Sequence, residues 1–374
     1  MNKKETGLNV FLLLALILLL PPGGFSAWTW TAGVRWLYLF FMSALLAAIL
    51  VPFSVFLAKK MGAIDYPDER KVHTKPVPRL GGVAVYLAFV FTIIRNFQFS
   101  EKSLGIIIGS TIIFFLGLAD DVKNLSARTR LFWQLAASIV VIYFGLYLSF
   151  PLKLPFGHFI SYTLSVLWLI GITNAFNFMD GIDGMASTMS IICSLLFLGI
   201  AWNSEQYVIG FFSAAVAGSC LGFLKFNWNP AKVFLGDSGS TFIGFVLACL
   251  ALSGSWATNN PWVALSTPLL ILGIPIFDLV YTTISRIKNG KIHNVIEWLE
   301  YTARDHFHHR LMKIGCSVKS SVGFTALLNV CLGLGAWSMQ QTGSTVATFF
   351  LLFQSVLIFI VVIVLMLLGR QITN

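Results

Sequence analysis

The feature that most constrains this chain is a succession of long apolar runs separated by short polar stretches. The runs occupy residues 8–27, 36–59, 82–96, 103–119, 130–149, 158–177, 184–202, 207–226, 239–258, 263–284, 321–340 and 346–368. One helical crossing of a bilayer takes about 20 apolar residues, and most runs meet that length. In hydrocarbon, only helices and closed barrels satisfy every backbone N–H and C=O. Barrel strands alternate apolar and polar residues, whereas these runs are continuous. The expected fold is all-α and polytopic, with about 11 transmembrane helices plus one extra at the N-terminus. Only 11% of the residues are charged, against about 25% in soluble domains.

Residues 1–30 stand apart as an N-terminal apolar segment. Lys3 and Lys4 precede the run from Phe11 to Leu20, and Gly-Gly-Phe-Ser-Ala follows it. That pattern fits either an extra helix or a secretory leader. Residues 31–374 are expected to form a single transmembrane domain.

Charge fixes the orientation. Of the 25 lysines and arginines, all but Arg35, Arg95, Lys102 and Lys153 fall in one set of alternate loops. The positive-inside rule makes that set cytoplasmic. The same bias accounts for the net charge of +10 without a nucleic-acid partner. Of 15 carboxylates, only Glu101 and Glu205 fall on the opposite face, and of the histidines only His158 does. The five cysteines show no paired spacing, so neither a metal ribbon nor a disulfide framework is expected.

Five constellations on the cytoplasmic face could carry chemistry. Asp120-Asp121 closes one apolar run and is followed by Arg130. Adjacent carboxylates repel unless a cation intervenes, although the pair also suits a solvated helix end. In Asn174-Ala-Phe-Asn177-Phe-Met-Asp180-Gly-Ile-Asp183-Gly, spacing of three keeps Asn174, Asn177 and Asp180 on one side of a helix. Polar groups at that depth must line a cavity or pair between helices. Gly236-Asp237-Ser238-Gly-Ser-Thr opens another helix. Free N–H groups there suit an anion, or the loop is a plain N-cap. Asp237 could bring a divalent cation to a bound phosphate. Arg304-Asp-His306-Phe-His308-His309-Arg310 lacks the spacing of a zinc site and suits a diphosphate better. The loop from Asp65 through Lys71 to Arg79-Leu-Gly-Gly carries three prolines. It could equally meet anionic lipid headgroups.

Together these motifs resemble the polyprenyl-phosphate N-acetylhexosamine-1-phosphate transferases. The likeness runs from about Lys60 to Leu311 and rests on DERKVHTKPVPRLGG, GLADDVKNLSARTR, NAFNFMDGIDG, NPAKVFLGDSGS and HFHHRL in that order. It implies a bacterial inner-membrane enzyme with its active site facing the cytoplasm. That enzyme passes a sugar 1-phosphate from a UDP-N-acetylhexosamine to undecaprenyl phosphate and releases UMP. Implied partners are those two substrates and membrane lipids, with a homodimer as a further expectation. Mg²⁺ is the implied cofactor, with Mn²⁺ as a substitute. By the same likeness Asp237 and Asn177 contact the metal, and Asp120 and Asp121 orient or deprotonate the lipid phosphate. Asp180 and Asp183 shape the nucleotide-sugar site. His306, His308 and His309, with Arg304, hold the diphosphate. Asn174, Lys71, Arg79, Arg130, Arg310, Gly236 and Ser238 complete the expected substrate contacts. The histidine loop is nearer the N-acetylglucosamine-1-phosphate branch than the phospho-MurNAc-pentapeptide branch. A multi-pass transporter is the rival from another class, but it would place charges near the midplane and often repeat a half.

Overall fold

The structure is a computed structural model that describes residues 33–67, 75–96, 100–148, 156–257, 260–301, 303–342 and 344–371. The N-terminal apolar segment 1–30 and Lys71 lie outside the described residues. The elements are α1 (Arg35–Met61), β1 (Ile64–Asp65), β2 (Val77–Pro78), α2 (Gly81–Asn96), α3 (Glu101–Lys123), α4 (Ala127–Tyr143), α5 (Gly157–Met179), α6 (Met185–Asn203) and α7 (Tyr207–Asn227). They continue with α8 (Gly236–Ser253), α9 (Pro261–Ile271), α10 (Gly273–Lys288), α11 (Val295–Glu300), α12 (Phe307–Lys313), α13 (Val318–Thr342) and α14 (Thr345–Gln371). Strands β1 and β2 pair antiparallel, Ile64 with Pro78 and Asp65 with Val77.

Among the described residues, eight helices are long and apolar enough to cross a membrane, or nine if α9 and α10 make one bent span. Helix α2 is apolar but only 16 residues long. The expected run at 130–149 folds as the 17-residue α4. The chain is an all-α, multi-pass membrane protein.

Helix α8 is the axis of the bundle. Its residues Ser238 to Ala251 are buried on every side, as expected of a helix that is apolar all round. It lies against α3, α5 and α2. The approach of α3 is backbone to backbone, because a Cβ on Gly117 would sit 2.5 Å from the Asp237 carbonyl oxygen. Helix α14 is the opposite case. It turns Phe349, Phe350, Phe353, Val361 and Val364 outward, a surface suited to lipid.

The run at 263–284, expected as one helix, is broken at Leu272 by an 80° bend. Pro275 explains the break. Proline lacks the N–H that would bond to the carbonyl four residues back, and its ring crowds that carbonyl. Ile271 O is therefore orphaned, at a depth where unpaired backbone costs several kcal/mol. Asn329 of α13 supplies the missing bonds. Its Nδ2 donates to Ile271 O at 3.0 Å and its Oδ1 accepts from Ile274 N–H at 3.3 Å. Cys193 Sγ of α6 reaches the same carbonyl at 3.2 Å. Replacing Asn329 by leucine keeps the branched outline of the side chain but strips both bonds from the elbow. The variant is expected to lose about 1–3 kcal/mol of stability, seen as a lower unfolding midpoint in detergent; an unchanged midpoint contradicts this account of the bend.

Candidate active site

The site is assembled around the first turn of α8. Gly236 has φ of +74°, a conformation glycine adopts without strain. It lets the chain turn into the helix directly beneath the carboxylates. The Pro-rich loop is stitched to this turn by backbone bonds. Phe234 N–H donates to Pro78 O at 2.8 Å, and Gly81 and Gly82 N–H donate to Phe234 O and Leu235 O at 2.9 and 2.7 Å. Arg79 is thereby fixed beside the α8 N-terminus.

Two consecutive N–H groups at this turn are taken by a carboxylate from another helix. Asp121, on α3, accepts from Asp237 N–H at 2.9 Å and Ser238 N–H at 3.0 Å. Asp180, which follows α5, crowds the same turn. The Ser238 N–H, expected to meet a substrate phosphate, is here taken by the carboxylate of Asp121. Arg79 Nε lies 3.3 Å from Asp121 Oδ1 and its Nη2 lies 3.8 Å from Asp237 Oδ2. Asn177 Nδ2 donates to Asp237 Oδ1 at 2.6 Å and to Ser240 Oγ at 3.1 Å. Burial, then the charges of Asp237 and Asp121, push the Asp180 carboxyl well above the usual range.

The adjacent pair Asp120-Asp121 avoids mutual repulsion by facing apart, since neighbours on a helix do not share a face. Each has its own arginine. Asp120 Oδ2 meets Arg130 Nη1 at 3.3 Å while its Oδ1 accepts from Leu125 N–H at 2.6 Å. Arg130 also donates to Leu299 O at 3.2 Å, which ties α11 to the site.

Other expected site residues are engaged elsewhere. Asp183 Oδ2 accepts from Asn229 Nδ2 and Ala231 N–H, both at 2.9 Å, and so braces the loop between α7 and α8. Asn174 is buried, with its amide given to Gln134 Oε1 at 3.0 Å and Ile170 O at 2.8 Å; it links α5 to α4. Arg304 is exposed. Arg310 donates to Asp305 O and Gly369 O, both at 3.4 Å, pinning α12 to α14.

The histidine loop closes one side. His308 and His309 lie against Gly181, next to Asp180. Burial, with positive charge on neighbouring basic groups adding to it, holds His308 well below the usual imidazole range and His309 at about 4. Sequence reasoning missed Asp278 and Arg286 of α10, which meet His306. A lone carboxylate inside an apolar run was the available signal.

Comparison with known proteins identifies the family. The model of glycosyl transferase family 4 matches residues 103–255. A Bacillus subtilis protein described as a probable undecaprenyl-phosphate N-acetylglucosaminyl 1-phosphate transferase is 35% identical over 310 residues, covering 81% of this chain and 84% of its own. The chain belongs to glycosyl transferase family 4. Another family member, the decaprenyl-phosphate N-acetylglucosaminephosphotransferase of Mycobacterium leprae, is 31% identical over 80% of this chain and 82% of its own. The undecaprenyl-phosphate alpha-N-acetylglucosaminyl 1-phosphate transferase of Escherichia coli K12 is 32% identical over 69% of this chain and 71% of its own. The family match spans α3 to α8, the helices that carry Asp120, Asp121, Asn177, Asp180 and Asp237.

Because His309 is held below the unfolded value of about 6.5, its burial stabilises the fold fully above that pH. The contribution is lost as pH falls toward about 4. The unfolding midpoint should drop over this window, and His309→Gln should shrink the drop. A wild-type-like pH dependence in His309→Gln would show that the ring is not held neutral by the fold.

Proposed function

We propose that this protein transfers N-acetylhexosamine 1-phosphate, with N-acetylglucosamine as the sugar, from a UDP-sugar to undecaprenyl phosphate on the cytoplasmic face of a bacterial inner membrane. The products are undecaprenyl-diphosphate-sugar and UMP, the opening step of a cell-envelope polysaccharide. The observation that carries this reading is the gathering of Asp121, Asp180, Asp237, Asn177 and Arg79 at one helix N-terminus. This happens in a chain related over most of its length to proteins named for that reaction.

The reaction joins two anions, so the site must offset their repulsion. In the transfer an oxygen of the lipid phosphate forms a bond to the β-phosphorus, and the bond from that phosphorus to the UMP oxygen breaks. A phosphate monoester has its second pKa near 6, so most of the acceptor is dianionic at about pH 7 and needs little help losing a proton. Positioning then matters more than general base catalysis. Arg79 and Arg130 face the carboxylates with part of each side chain accessible, and they supply positive charge where the phosphates meet.

The donor set suits Mg²⁺. Asp237 is partly exposed, and Asn177 uses Nδ2 for both of its contacts, which leaves Oδ1 for a cation. Asp180 sits among carboxylates whose repulsion a cation would relieve. Among the described residues no group of three acidic, His or Cys side chains forms a complete metal cage. Mg²⁺ typically binds one or two carboxylates and keeps its other positions for water and phosphate. Asp237, Asn177 and Asp180 would hold it, and when bound it would draw charge from the phosphoryl oxygens.

Purified protein with undecaprenyl phosphate, UDP-N-acetylglucosamine and Mg²⁺ is expected to release UMP. Omitting either the lipid or the metal should stop release. Asp237→Asn should lower turnover by at least about 10³-fold while its unfolding midpoint stays near wild type. Full activity in that variant would overturn the metal assignment, and no UMP with any UDP-N-acetylamino sugar would overturn the transfer itself.

A further inference from the structure

The histidine loop is joined to the elbow helix α10 by a buried polar network with a specific consequence for His306. Asp278, Arg286 and His306 are 1%, 1% and 6% exposed. Burying such groups is costly unless their hydrogen bonds are met, and here they are. Asp278 Oδ2 lies 2.7 Å from His306 Nδ1, while its Oδ1 accepts from Phe307 N–H at 2.8 Å. On the other side of the ring, Arg286 Nη2 lies 3.1 Å from His306 Nε2. The guanidinium grips Asp305 with Nη2 at 2.7 Å and Nε at 3.0 Å, and it lies over the Tyr301 ring. Phe178, from the α5 end that carries Asn177 and Asp180, packs on the imidazole at 5.3 Å.

Arginine donates hydrogen bonds and accepts none. Its Nη2 meets Nε2 favourably only where that nitrogen offers a lone pair. The imidazole is then neutral, with its one proton on Nδ1 and given to Asp278. Both ring nitrogens are spent inside the protein. His308 is different: it is fully buried against Gly181, and among the described residues neither of its ring nitrogens has a hydrogen-bond partner.

We propose that His306 is a strut locked in one neutral tautomer, and that Asp278 and Arg286 are positioning residues that dock the histidine loop on α10. His309, the half-buried ring beside Gly181, is then the one presented to the nucleotide sugar near Asp180. This rests on the transferase reading above and reassigns roles within its histidine motif. Asp278 and Arg286 act through His306 and touch no substrate. Asp305 serves the same lock, because its carboxylate is occupied by Arg286.

Two readouts test the lock. In ¹⁵N-histidine-labelled protein in lipid nanodiscs, with His306 assigned by its absence from His306→Asn, the wild-type ring at pH 7 should show a protonated Nδ1 and a bare Nε2. A proton on Nε2, or on both nitrogens, overturns the proposal whether or not the enzyme turns over. The kinetic readout is rescue. Asparagine keeps a donor at the Nδ1 position, so it can still bond Asp278, whereas alanine cannot. His306→Ala and Asp278→Ala should raise KM for the UDP-sugar by about 10-fold to 100-fold, and His306→Asn should recover most of that loss. If His306→Asn instead keeps a wild-type KM while its kcat falls as far as in His306→Ala, the ring acts in the chemical step and the strut assignment is wrong. Failure of the wild type to release UMP would defeat the transferase reading and leave the tautomer result standing.

Discussion

The site depends on the N-terminus of α8, where two consecutive backbone N–H groups bind a carboxylate that comes from elsewhere in the chain. Asp121 of α3 takes both, and Asp180 crowds the same turn. The positive end of a helix stabilises a nearby carboxylate by typically about 0.3–1 kcal/mol, and by more when partly buried. That attraction lets Asp121, Asp180 and Asp237 crowd together, with Arg79 the cation that offsets them among the described residues. It also joins α3 to α8, and Asn177 brings α5 to the same turn through Asp237, so the packing of the bundle and the geometry of the site are one problem. The close approach that makes it work needs glycine at 117, where α3 touches the backbone of α8.

Much of this was legible in the sequence, and the limits are physical. Long apolar runs announced the helices, and charge bias placed the polar loops on one face. The separation of Asp120 from Asp121 by their arginines was half visible. Arg130 stands close to Asp120 in sequence, but Arg79 reaches Asp121 across 42 residues, a distance that spacing cannot span. The N–H groups of the Gly236–Ser238 turn looked free because no nearby residue occupies them. Asn174 shares a helical stripe with Asn177 and Asp180, yet its amide is spent on Gln134 of α4. Periodicity reports which face a residue lies on and says nothing of what packs against it.

The elbow shows the same limit at larger scale. Pro275 could have marked the break, but proline is tolerated in membrane helices when neighbours satisfy the freed carbonyl. Asn329, 58 residues away, is the neighbour that does so. The bend matters because it sends α10 toward the polar face with Asp278 and Arg286 aboard. Those two residues anchor the histidine loop, so that loop inherits the rigidity of transmembrane helices and can hold a constellation to the fine tolerance catalysis needs. The site thus has two supports, the capped turn of α8 and the elbow at Leu272, and they meet where Gly181 lies against His308.

The most direct test of this account compares the unfolding midpoint and the turnover of Asp121→Asn in one preparation. An amide turns one acceptor into a donor, which would face the N–H groups of Asp237 or Ser238 instead of receiving them. The account predicts that midpoint and turnover fall together, because the same bonds build the bundle and the site. Lost turnover with a wild-type midpoint would contradict it, and would make Asp121 a group that acts in the reaction alone.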